Sequence, residues 1–215
     1  VSTLDGATTI WTQSGLALQA AKPWLSSVGD RVLVVDDAGL RTFEEDGTPA
    51  GGYALDGQRT GPVLAMDGGR LLVIPTLNGV TLLAVGGMPH FVRPIEDPPL
   101  ERGGAQAVAC DDTGLVTVDT LGVIRAFEWK DGKLGPTWQG SLPAGRKANG
   151  QVAIAGSTVA VVDQQNGIHL FDRVSGMATR TYDHPTLIAA PPLPVADQLL
   201  VVDTNGILTS YQLVR

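Results

Sequence analysis

Apolar residues fall in short runs broken by Gly, Asn and Asp, as in VVDQQNGIHLFD at 161–172 and VVDTNGILTSYQ at 201–212. Nothing sustains the 3.6-residue period of a long helix, and short apolar runs bounded by turn residues predict strands. The same phrase recurs in RVLVVDDAGLRTFEEDG (31–47), RLLVIPTLNGVTLLAVGG (70–87) and GLVTVDTLGVIRAFEWKDG (114–132). Its turn glycines, Gly39, Gly79, Gly122, Gly167 and Gly206, are 40, 43, 45 and 39 residues apart. A period of roughly 40–45 residues is that of a four-stranded propeller blade.

Each copy divides into four strands. The first is an inner strand: PWLSSV (23–28), PVLAM (62–66), QAVAC (106–110), QVAIA (151–155) and PPLPVA (191–196). A tight turn leads to the Val/Leu-rich second strand, and Asn-Gly or an equivalent joins this to the third. Asn-Gly suits a two-residue primed turn, whose central positions both need positive φ. A second turn, Asp46-Gly47, Gly86-Gly87, Asp131-Gly132 or Ser175-Gly176, opens a fourth strand ending in Tyr53, Phe91, Trp138 or Tyr182. The fifth copy reaches Arg215 where its fourth strand is due, whereas LDGATTIWTQ near the N-terminus carries Asp5-Gly6 and Trp11. The pattern predicts an all-β, five-bladed β-propeller of four-stranded antiparallel blades, its last blade completed by the N-terminal strand. Residues 1–215 form one domain, with blades at roughly 22–54, 60–93, 104–138, 150–182 and 188–213 plus 7–13. Closure removes exposed sheet edges.

Strand, DxxG turn, strand, (D/S)G turn and a strand ending in Trp resemble the pyrroloquinoline-quinone-type (PQQ-like) β-propeller repeat, from Leu4 to Leu213. The resemblance implies the fold and leaves function open, since such repeats occur in quinone-dependent dehydrogenases and in non-enzymatic scaffold propellers, including outer-membrane assembly lipoproteins. It inclines the location towards the periplasm or another extracytoplasmic site. Family members usually have more blades, so the chain is either a complete ring, which strand and aromatic counts favour, or part of a larger propeller.

Charge and composition narrow the function. Net charge is −7, which argues against a nucleic-acid partner because phosphate binding needs a cationic surface. No apolar run approaches the roughly 18 residues of a membrane span, so no membrane insertion is expected. One cysteine, Cys110 in AVAC, excludes an internal disulfide or multi-cysteine metal site and reads as an inert, buried thiol.

Asp36 or Asp37, Asp119, Asp163 and Asp203 precede the turn glycine, with Pro75-Thr76 in the second copy. Recurrence around a ring predicts turn capping, whereas catalysis needs different groups converging on one point. Five-bladed furanoside hydrolases, similar in shape, project carboxylates from inner strands, and glycoside hydrolysis generally needs two. Here those strands offer Ser26, Ser27, Gln106, Cys110 and Gln151. The dehydrogenases' adjacent cysteines and calcium ligands have no counterparts. His90, His169 and His184 lack ligand spacing and read as surface or strand residues. Asp111-Asp112-Thr113-Gly114 lacks the later ligands of a calcium loop. The strand-end aromatics read as inter-blade packing, and the PPLP of 191–194 as inaccessible on its inner strand. Trp24 falls outside that aromatic register and is the better candidate for a ligand contact, with core packing as its first reading.

The longest connections, 13–22, 54–61, 93–104, 139–149 and 183–190, join each fourth strand to the next first strand, on the face of the second-to-third turns. Function concentrates in loops held by a rigid scaffold. Arg59, Arg93, Arg102, Arg146 and Lys147, with Lys22, form a basic rim there, suited to an acidic partner. The sequence therefore predicts a non-enzymatic interaction or scaffold propeller without catalytic residues, cofactor or metal. It binds a protein through that face, with Arg59, Arg93, Arg102, Arg146, Lys147 and Trp24 as contacts. The alternatives are a small-ligand or carbohydrate-binding propeller, glycosidase-like at the extreme, and a structural domain of a longer chain.

Overall fold

The computed structural model describes residues 3–4, 7–8, 23–28, 30–86, 92–94 and 105–213. After a short pair, β1 (Thr3–Leu4) and β2 (Ala7–Thr8), five antiparallel sheets follow in chain order. The first is β3 (Trp24–Val28), β4 (Arg31–Val35), β5 (Gly39–Phe43) and β6 (Pro49–Ala54). The second is β7 (Leu64–Met66), β8 (Leu71–Thr76), β9 (Gly79–Val85) and β10 (Val92–Pro94), with one 3-10 turn at Asp67–Gly69. The third is β11 (Ala105–Asp111), β12 (Gly114–Asp119), β13 (Val123–Lys130) and β14 (Lys133–Ser141). The fourth is β15 (Ala148–Ala155), β16 (Thr158–Asp163), β17 (Gly167–Asp172) and β18 (Ala178–Asp183). The fifth is β19 (Leu193–Val195), β20 (Gln198–Val202) and β21 (Leu208–Gln212). Each sheet is a meander, and the described residues contain no α-helix.

Period-two alternation explains how the sheets stack. In β8, Leu72 and Ile74 meet Leu33, Val35 and Leu40 of the first sheet. Their neighbours Leu71 and Val73 meet Leu115, Phe127 and Leu134 of the third. Val116 and Val118 face Val159, Val161 and Phe171, while Ala160 and Val162 face Leu199 and Val201. Successive side chains point to opposite sides of a strand, so a second strand packed on both sides is mostly apolar, and all six residues of β8 are buried. Among the described residues the core is thus four layers between consecutive sheets rather than one central mass. First strands lie side by side, β7 near β11, β11 near β15 and β15 near β19, placing them innermost.

The strand-end aromatics belong to these layers. Tyr53 joins the first interface, Trp138 stacks on Phe171 with ring centroids 6.5 Å apart, and Tyr182 meets Tyr211 at 4.7 Å. Each reaches forward to the next sheet; Trp11 and Phe91 lie outside the described residues. A register shift recurs between third and fourth strands, at Thr42/Phe43, Ala126/Phe127 and Leu170/Phe171. Such an extra residue bends a strand locally, and here it sits just before each packed aromatic.

Three expectations need comment. The fifth sheet has three described strands, and residues 9–13, expected to add the fourth, lie outside the described residues, while Ala7–Thr8 pairs with Thr3–Leu4. The PPLP stretch is not inaccessible: Pro191 and Leu193 are exposed, because one face of the short β19 points away from the fourth sheet. His169 is a strand residue, in β17, while His184 lies outside the strands, and neither is on the surface: both are buried against aspartates.

Candidate functional site at the loop-bearing face

At the end of each second strand the chain must reverse, and the recurring aspartate organises that reversal. Asp36 Oδ1 accepts the Ala38 and Gly39 N–H groups at 2.8 and 3.0 Å. Asp119 accepts Leu121 and Val123, both at 2.9 Å. Asp163 accepts Gln165 at 2.8 Å and Gly167 at 2.7 Å, and Asp203 accepts Asn205 at 2.8 Å and Ile207 at 2.9 Å. In the second sheet the Thr76 hydroxyl donates to Gly79 O at 3.4 Å. Turn capping is therefore what these residues do.

The other carboxylate oxygen has its own partner, which the sequence reading missed. Asp36 Oδ2 lies 3.0 Å from Arg41, Asp119 Oδ2 3.1 Å from Arg125, and Asp163 Oδ2 2.8 Å from His169 Nε2. The partner stands on the third strand, five or six residues after the aspartate, so a repeated Asp…Arg/His spacing was the available signal. Arg146 adds a second contact to Asp163 at 3.0 Å. Burial works against ionisation of Asp163, but the His169 hydrogen bond, the Gly167 and Gln165 N–H groups and the Arg146 charge hold its carboxyl below the ordinary carboxylate range. Asp203 is lowered first by its Thr186 hydroxyl bond and then by the Ile207 N–H. The buried His184 shares a 2.6 Å hydrogen bond with the Tyr211 hydroxyl.

The connecting loops do run along the second-to-third turns. Thr60 N donates to Pro75 O and Leu77 N to Gln58 O; Gln164 N donates to Lys147 O, and Thr204 N to Leu187 O. Arg59 bridges to Thr76, and Ile188 to Asp203. Loops and turns therefore make one face.

On that face Trp24 and Arg59 line a common cavity of about 450 Å³ with Pro23, Thr60, Gly61 and Pro62. Arg59 is only 11% exposed, and its Nε lies 3.7 Å from Asp37 Oδ1. Arg146 is spent on Asp163, whereas Lys147 is exposed. Arg93 falls in β10, away from a loop, and Arg102 and Lys22 lie outside the described residues. The rim is therefore not a row of solvated cations: two of its arginines neutralise turn aspartates.

Sequence reasoning also missed the apolar side chains at the turn tips. Leu77, Leu121 and Ile207 occupy second-to-third turns, Leu208 follows, and Leu187 lies on the adjoining loop; each is more than half exposed. Single exposed leucines are ordinary, and here they recur at several turns of one face. Spacing alone did not separate these tips from strand positions.

Elsewhere, Cys110 is half-buried with its thiol towards Ala65 O at 3.8 Å, and burial first, then Asp111 and Asp112, push it up to about 12. No group of three His, Cys, Asp or Glu side chains among the described residues is arranged to hold a metal. No described helix is long and apolar enough to cross a membrane.

Solved structures resemble this arrangement. The β-propeller domain of Swd1 from Myceliophteria thermophila superposes with a TM-score of 0.63 at 14% identity, over 86% of this chain and 66% of that one. The fold is that of a β-propeller. BamB from Moraxella catarrhalis matches with a TM-score of 0.63 at 16% identity, over 88% of this chain and 60% of its own. BBS1N, solved in complex with ARL6DN, gives 0.62 at 17%, over 85% and 60%. The chain thus spans about 60% of the length of BamB and BBS1N. No family model and no curated protein matches the sequence.

Proposed function

We infer that this propeller is a non-enzymatic interaction module that binds a protein partner through its loop-bearing face. The observation that carries the reading is the set of exposed apolar tips, Leu77, Leu121, Leu187 and Ile207, on the same face as the Trp24–Arg59 cavity. Apolar anchors ringed by polar groups are what protein contacts use. BBS1N was solved bound to ARL6DN, a binding role in a chain of similar fold. Lys147, exposed, with Arg59, Arg93, Arg102 and Arg146 close to the partner, sets its preference for an acidic surface. The repeat is of the PQQ type, its members scaffolds rather than dehydrogenases, and the location extracytoplasmic.

The test is capture from the host's extract with wild type and with the triple variant Leu77→Ser, Leu121→Ser, Ile207→Ser, with Lys147→Glu separately. These side chains are exposed, so folding is retained. Charge reversal at Arg59 or Arg146 is unsuitable, because it would set a carboxylate against Asp37 or the buried Asp163. A protein held by wild type and lost from the triple variant supports the reading, and weaker retention by Lys147→Glu supports an acidic partner. Equal retention by all forms overturns it, and a bound small molecule in place of a protein moves the function to ligand binding.

A further inference from the structure

A cleft of about 490 Å³ opens between the third and fourth sheets at the end opposite the long loops. Thr113, Ser157, Arg173 and Val174 form its walls, and Val116 and Ala126 its floor. Pairing explains the space. Gly114 lies opposite Glu128 and Val116 opposite Ala126, so near its end the third sheet offers the fourth no side chain at 114 and a small one at 126. Across the gap stands Gly156, with no side chain either.

Arg173 pins the margin instead of filling the cleft. Its guanidinium crosses to Asp111 with bonds of 2.6 and 2.7 Å, and also donates to Thr113 Oγ1 at 2.7 Å and Gly156 O at 3.3 Å. Glu128, exposed on the opposite wall, makes no hydrogen bond or ion pair with the described residues. Val174 and Met177 are exposed beside the opening. An apolar floor ending at an unpaired carboxylate fits a long basic side chain, whose alkyl stem covers carbon and whose cation reaches the acid.

The surrounding field has the same sign. Most described turns at this end carry an exposed carboxylate, Asp30, Asp46, Asp67, Asp112, Asp131 or Asp197, against Arg70, Lys130 and Lys133 as exposed cations. Much of the net charge of −7 is therefore concentrated opposite the loop face, where it would steer a cationic partner.

We propose that this cleft is a second docking site, which takes a basic peptide segment of a partner protein by seating a Lys or Arg beside an apolar residue between the third and fourth sheets. It is independent of the loop-face reading, and either can fail alone. The test is selection from a displayed random twelve-residue peptide library against the folded protein. Enriched peptides are then measured by fluorescence anisotropy against Glu128→Gln, Glu128→Lys and Ser157→Trp, all exposed positions checked for an unchanged melting temperature. The expected result is enrichment of peptides pairing Lys or Arg with an apolar residue. Their affinity should weaken about tenfold or more with Glu128→Lys and less with Glu128→Gln, be blocked by Ser157→Trp, and fall with added salt. Enrichment of acidic peptides, no enrichment at all, or equal binding to Ser157→Trp would overturn the proposal.

Discussion

Replacing Asp163 with alanine tests whether the recurring aspartates carry fold or function. The Asp163 side chain is fully buried and accepts two backbone N–H groups, the His169 ring and the Arg146 guanidinium. In Asp163→Ala, the buried Gly167 N–H loses its acceptor at a cost of about 1–3 kcal/mol, and a half-exposed Gln165 turn loses less. Arg146 also loses its counter-charge and the buried His169 ring its hydrogen-bond partner, so the total is about 3–5 kcal/mol, the range for breaking a buried pair from one side. For 150–250 residues 1 kcal/mol moves the melting temperature by about 2–4 °C, giving a fall of roughly 6–20 °C. The assay is thermal unfolding followed by circular dichroism at pH 7, with Asp163→Asn beside it. Asparagine keeps the acceptor while losing the charge, so its fall is smaller. A melting temperature unchanged in Asp163→Ala, with binding or activity abolished, would refute the structural assignment.

Four further outcomes are expected. Burial resists ionisation of Asp111, but Arg173 and Thr113 outweigh it and bring its carboxyl to about 2. A depressed native pKa stabilises fully above the unfolded value of about 4 and is lost as pH falls towards 2, so Arg173→Gln should flatten the urea-measured stability slope between those limits. Gly176→Ala should destabilise clearly more than Gly132→Ala in urea unfolding, since both have positive φ but only at 176 does a Cβ meet a ring, that of Trp138 at 2.6 Å; equal losses would count against the forward packing of Trp138. Cys110, at about 12, should resist iodoacetamide at pH 8 in the native protein and react after unfolding, as followed by mass spectrometry. Removing residues 1–13 should speed hydrogen exchange of the Leu208–Gln212 amides if that segment completes the fifth blade; unchanged exchange would count against closure.

Much of the fold is legible in the chain because period-two burial leaves few choices. A strand such as Leu71–Thr76, buried at every position, has to be covered on both sides, and five Val/Leu-rich second strands at blade spacing dictate stacked sheets. Asp36, Asp119, Asp163 and Asp203 are legible for the same reason: four copies of one residue before one glycine describe a turn. The site is less legible, because it depends on which loop side chains find partners. Arg59 and Arg146 read as rim cations until the fold sets them against Asp37 and Asp163. Leu77, Leu121 and Ile207 have no reading in the sequence, because only the folded turn shows that it lifts them into solvent. His169 and His184 look unremarkable because their aspartates come from the turns rather than from a neighbouring residue. The cleft beside Glu128 arises from small residues, Gly114, Ala126 and Gly156, on strands and turns of two sheets, and no local motif announces it.

The most direct measurement of the central claim is hydrogen exchange of the chain, free and then bound to the protein captured from its host. Binding through the loop-bearing face predicts slowed exchange in residues 55–63, 77–78, 120–122, 142–147 and 184–192, with the strand interiors unchanged. Protection confined to the opposite turns, or none on the loop-bearing face, would contradict it.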